Sequence, residues 1–125
     1  MIEQDYIMRL INEMVRTILK LLFNIDTENP MAEWLENDEE KKTLETLLNK
    51  VDAGSINEAE DKIFEIAAIG DKANLRMILL FFYHLNGKSD EFLSENNFSR
   101  KEIRDDLKYI LSQYGIDGMT EVFLD

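Results

Sequence analysis

The residues with the most chemical potential in this sequence are its carboxylates. Glu33 and Glu36 stand three apart, and after 21 intervening residues Glu58 and Asp61 repeat that spacing. Acids three apart share one side of a helical turn, so the two pairs would do chemistry together only if both faced a common interior. On a helical wheel Ala59, Ile63, Phe64, Ile66 and Ala67 form one face, and Glu58, Asp61 and Glu65 fall on the other, toward water. With 26 acids in 125 residues, such pairs also arise by chance. Glu60 differs, because it lies within the apolar face between Ala67 and Phe64. A carboxylate there needs a partner or a proton. Arg76 and Tyr83, which with Lys72 make the polar strip of the next helix, are the expected partners. Glu60, Arg76 and Tyr83 are therefore read as a buried polar cluster that fixes helix register.

Other reactive side chains are few. His84 is the one histidine, so neither a histidine zinc cluster nor a serine–histidine triad is expected, and beside Tyr83 near a helix end it reads as a boundary residue. The chain has no cysteine, which excludes disulfides, thiolate catalysis and thiolate metal sites. Trp34 is a candidate anchor for a partner, since Trp is enriched at binding hot spots. No catalytic, cofactor-binding or metal-ligating residue is assigned, and no cofactor is expected.

The elements that would carry these residues read as helices throughout. Five Gly and one Pro leave little for a turn-rich β fold. In residues 1–25, Ile7, Leu10, Ile11, Met14, Val15, Ile18, Leu21 and Leu22 recur at three- and four-residue steps. This stripe covers about half the circumference of a long amphipathic helix, wider than the usual surface stripe. Two readings fit it: a helix packed on two neighbours, or one whose residues Ile7, Leu10, Ile11, Met14, Val15 and Ile18, together with Trp34, offer an interaction surface. A short helix is expected after Pro30, an interruption near Asn37-Asp38, and helices over 39–51, from the capping box Ser55-x-x-Glu58 to Ile69, over 72–86, and from the capping box Ser99-x-x-Glu102 to Tyr114. The helix over 72–86 is apolar nearly all round, which marks a central element. Residues 119–125 form a tail, whose Val122-Phe123-Leu124 should dock.

The net charge of −12 is unevenly spread. The first 25 residues hold three bases and three acids, so the remaining 100 carry all of it. Such a surface repels phosphate backbones, and without a local basic patch nucleic acid is not an expected partner. The longest apolar run, Met77 to Tyr83, is seven residues, far short of the ~18–20 of a membrane span. Acids rather than bases follow Met1, unlike a signal peptide. A cytoplasmic protein is expected. Attachment of the first helix to a membrane surface, through Arg9, Arg16 and Lys20, is opposed by the acidic remainder.

Two resemblances accompany these readings. The Glu-x-x-Glu and Glu-x-x-Asp spacing is similar to that of all-helical nucleotide pyrophosphohydrolases, which implies carboxylates holding magnesium ions against a phosphate. The opening stretch Met1–Arg9, the segment Ile56-Asn57-Glu58-Ala59-Glu60, and Asn97-Phe98-Ser99-Arg100-Lys101-Glu102-Ile103 with Tyr114-Gly115-Ile116 resemble a family of small uncharacterised bacterial proteins. The members of that family are all-helical and tetratricopeptide-like, and the resemblance implies no activity. The expectation is one helical domain over 1–125, a bundle of about five or six antiparallel helices in hairpin arrangement, near the 33-residue tetratricopeptide period. Its function is expected to be non-enzymatic, an interaction or scaffold module with a protein partner or a second copy. A magnesium-dependent pyrophosphohydrolase-like enzyme is the alternative.

Overall fold

The computed structural model describes residues 2–28, 30–31 and 35–124, with side chains from Asp5 onward. Among these, all regular structure is helical. Seven helices follow in order, more than the five or six expected: α1 (Ile2–Phe23), α2 (Asp38–Asp52), α3 (Ile56–Ile69), α4 (Lys72–Asn86), α5 (Asp90–Glu95), α6 (Arg100–Gln113) and α7 (Asp117–Phe123). The added elements are the short ones. Ser89 caps α5 through the Phe92 amide, and the expected tail is the helix α7. Trp34 and most of the short helix expected after Pro30 lie outside the described residues; Pro30, Met31, Leu35 and Glu36 carry no helix.

Local chemistry sets most boundaries. The Asn37 side chain accepts from the Glu39 and Glu40 amides and opens α2, and Asp71 accepts from the Ala73 amide and opens α4. At Ser99 the first half of the expected capping box forms, the hydroxyl accepting from the Glu102 amide, while the Glu102 carboxylate accepts from that hydroxyl. The box expected at Ser55 does not form. The Ser55 amide is still bonded to the Lys50 carbonyl at the end of α2, its side chain makes no cap bond, and Glu58 turns to Lys50 instead. α1 ends in a left-handed residue, Asn24 (φ 56°), after which the Ile25 amide reaches back to Leu19 O and the Ile25 side chain enters the core.

α4 occupies the centre, as its all-round apolar sequence predicts. It packs against α1, α2, α3 and α6, and Leu75, Met77 to Phe82 and Leu85 are all buried. Phe81 and Phe82 meet edge to face with ring centroids 5.3 Å apart. Each such buried side chain contributes about 1.5–3 kcal/mol. α1 spans about 33 Å at 1.5 Å per residue and contacts α4, α6 and α7, which cover the middle of its stripe, while Leu21 and Leu22 at its end stay exposed.

Candidate functional site

A buried polar clamp fixes α1 against the end of α4 and the start of α6. Asn86, fully buried at the last position of α4, donates to Met8 O (2.9 Å) and to Asn12 Oδ1 (2.8 Å) of α1. Arg100, also buried, donates to Asn86 O (2.6 Å), Asn86 Oδ1 (3.2 Å), Lys88 O (3.0 Å) and the Asp90 carboxylate (2.7 Å). A cation in the first turn of α6 opposes that helix's dipole. The unpaired carbonyls at the end of α4 and the charge of Asp90 hold it there. Sequence reading missed both Asn86 and Arg100. The signal available was that basic residue immediately after the Ser99 cap.

Next to this clamp, α1 and α6 diverge and the last turn of α7 closes the far side. The result is an open cleft of about 400 Å3, with Ile7, Leu10, Phe123 and Leu124 half-buried along it. Tyr6 and Val122 stand at its rim, 55% and 75% exposed. The one charged side chain among the described lining residues is Arg104. Its Nε is buried without a hydrogen-bond partner, and Asp105 Oδ1 lies 3.7 Å away, beyond hydrogen-bond reach. α7 shows what this side of the bundle accepts. Ile116, Met119, Phe123 and Leu124, at steps of three, four and one, pack on the core, and Thr120 is buried with its hydroxyl on Asp117 O.

The stripe read as an interaction surface divides in two. Ile11, Met14, Val15 and Ile18 are in the core, covered by the chain itself, so as free interaction residues they are corrected. α4, α6 and α7 all lie against α1, so the helix is covered along this part of its length. Ile7 and Leu10 line the cleft. For the same reason α1 has no free apolar face along its middle with which to lie on a membrane surface.

The expected cluster of Glu60, Arg76 and Tyr83 is also corrected, since the three side chains make separate contacts. Arg76 lies over the Phe23 ring and 3.6 Å from Glu40 of α2. The Tyr83 hydroxyl donates to Glu28 O. Glu60 meets Asp106 of α6. Burial, then the hydrogen bond and charge of Glu60, then Glu102 and Asp105, push the Asp106 carboxyl up to about 9. Asp106 therefore keeps its proton at neutral pH and donates it to Glu60, which binds α3 to α6.

The remaining candidates are occupied. Glu58 forms an ion pair with Lys50 Nζ (2.9 Å) along a cleft of about 440 Å3 between α2 and α3, where exposed charges of both signs alternate. Glu36 is exposed, and Glu33 lies outside the described residues. Among the described residues, no three His, Asp or Glu side chains lie close enough to hold a metal ion. His84 Nε2 and Lys88 Nζ both reach Asp52 Oδ1, at 2.7 and 2.6 Å. Partial burial opposes ionisation of Asp52, but the bonds and charges of Lys88 and His84 outweigh it and hold the carboxyl below its usual range. His84 and Tyr83 line a hollow of about 320 Å3 beside Pro30 and Met31.

No helix is long and apolar enough to cross a membrane, among the described residues. Neither the curated proteins nor the solved structures contain a match to the chain. The chain belongs to a family of unknown function, DUF6483, whose profile matches residues 1–115 and so spans α1 to α6 without α7.

Proposed function

We propose that the protein is a non-enzymatic interaction module of the cytosol, and that its partner, a protein or a second copy, lands on the cleft between α1, α6 and α7. The single observation that carries this reading is the open cleft whose described lining side chains, Arg104 apart, are apolar or aromatic, with Tyr6 and Val122 at its rim, on a chain with 26 acids. Apolar side chains left at a concave site beside a packed core are what a partner buries. α1 supports the placement, because residues 1–25 are neutral while the remainder carries −12. A copy of this chain, or another acidic protein, meets the least repulsion there. The pairs α2–α3 and α3–α4, in contact and joined by short glycine turns, are in this reading tetratricopeptide-like hairpins that brace the cleft from behind.

The test is a selection from a display library of helical peptides, run on the full chain and on Val122→Glu. Val122 is exposed, so the variant keeps the fold and changes only the rim. Binders enriched on the wild type and lost on Val122→Glu are expected. Binders that ignore Val122→Glu, or no enrichment on either, overturn the reading. Sedimentation of the full chain over a range of concentrations decides between a second copy and a different protein.

A further inference from the structure

Resting on that reading, the cleft also indicates the chemistry of its partner. Two observations bear on it. The first is α7, a short amphipathic helix already docked on α1 and α6 through Ile116, Met119, Phe123 and Leu124. Helix-in-groove binding uses this same pattern of anchors, and a cleft of about 400 Å3 lies within the size range of pockets that take large apolar groups. The second is Arg104. A guanidinium is costly to leave half-buried with an unfilled donor, and it prefers a carboxylate held in its fork. Here Nε is buried without an acceptor and Asp105 lies 3.7 Å away, so an incoming carboxylate meets the guanidinium, the one charge on the described cleft wall, at its terminal nitrogens. The clamp of Asn86 and Arg100 ties α1 and the start of α6 to the end of α4, so these walls of the cleft do not have to be ordered on binding.

We infer that the cleft recognises an amphipathic helix of a partner protein, with an apolar side chain seated among Ile7, Leu10 and Phe123 and an acidic residue at the edge of its stripe bound by Arg104. Binding replaces water on the guanidinium with a carboxylate and covers Tyr6 and Val122. Because the rest of the chain is strongly acidic, bases on the outer face of such a helix add attraction without entering the cleft.

The test uses two end-blocked alanine–lysine helices that carry the Ile116-Met119-Phe123-Leu124 spacing, one with Glu and one with Gln beside the stripe. Affinities are measured by titration against the full chain, Arg104→Gln, Arg104→Lys and Val122→Glu, with backbone NMR shifts at Tyr6 locating the site. The wild type should bind the Glu helix about tenfold more tightly than the Gln helix, the scale of one charge-assisted hydrogen bond. Arg104→Gln should erase that difference, and Arg104→Lys should restore only part of it. Equal binding of both helices by the wild type, or a preference that survives Arg104→Gln, overturns the acidic-partner inference and leaves the interaction reading intact. Failure of both helices to bind, or binding unaffected by Val122→Glu, overturns both.

Discussion

Replacing Asp106 by Asn should make the protein more stable, and more so as the pH rises. In the unfolded chain Asp106 ionises near its usual value of 3.8, whereas in the folded protein it holds its proton up to about 9. Between those values the folded state carries one proton that the unfolded state has lost. Stability from this site is therefore fully present below pH 3.8 and falls as pH rises, by at most ~1.4 kcal/mol per unit. The loss is complete above about 9, where two carboxylates face each other between α3 and α6. An Asn amide donates to Glu60 as the protonated acid does, but needs no proton to do so. At pH 7, a little over three units above 3.8, the ceiling on the gain is roughly 4 kcal/mol. Half-burial of the site and an imperfect amide geometry reduce the expected gain to about 2 kcal/mol. For a chain of this length that corresponds to a rise of roughly 5–10 °C in Tm. Urea unfolding followed by circular dichroism at pH 4, 7 and 9 measures it directly, and with no cysteine to oxidise the alkaline arm is clean. The two proteins should be nearly equal at pH 4 and diverge upward. If Asp106→Asn is no more stable at pH 9 than at pH 4, relative to wild type, the shared proton does not exist and the helix contact is held by something else.

Two further outcomes test other parts of the structure. Arg100→Met should cost about 3–5 kcal/mol in the same urea assay, because it leaves carbonyls at the end of α4 and the buried Asn86 without their donor; Arg100→Lys should recover little, since one ammonium cannot span Asn86, Lys88 and Asp90, and a loss under 1 kcal/mol would contradict the clamp. Millimolar magnesium should leave the Tm unchanged and release no phosphate from nucleoside triphosphates, with Glu58→Gln shifting stability by less than about 1 kcal/mol as for an exposed ion pair; turnover abolished by that substitution would instead restore the hydrolase reading.

Helix positions were legible wherever a boundary is set by one or two residues of local chemistry. Asn37, Asp71 and Ser99 each accept an amide within three residues, and the expected helices start where those residues stand. α7 has no such signal. Ile116 at its start offers no side-chain acceptor, and the helix owes its existence to packing on α1 and α6, which no local pattern records. The error over Glu60 has a related origin. A helical wheel gives the face on which a residue lies, not which of two neighbours that face meets. The wheel points Glu60 to α4, the next helix in sequence, yet its partner lies 46 residues away on α6.

The same limit explains why the candidate site was only half visible. Ile7 and Leu10 belonged to a stripe that was conspicuous in sequence, but the stripe could not say which of its members the chain would cover. That is decided by tertiary packing on α4, α6 and α7, which leaves Tyr6, Ile7 and Leu10 beside Phe123 and Leu124 at an open cleft. Because the family match ends at residue 115, the cleft is composite: Tyr6, Ile7, Leu10 and Arg104 lie within the matched residues, and the Val122 wall lies beyond them. Variants at Arg104 and at Val122 therefore probe separable contributions. Binding that depended on Arg104 and not on Val122 would overturn the three-helix cleft as the landing site and leave at most the α1–α6 seam. Dependence on both would make α7 part of the receptor, and this chain's partner would then be chosen partly by residues beyond the matched ones.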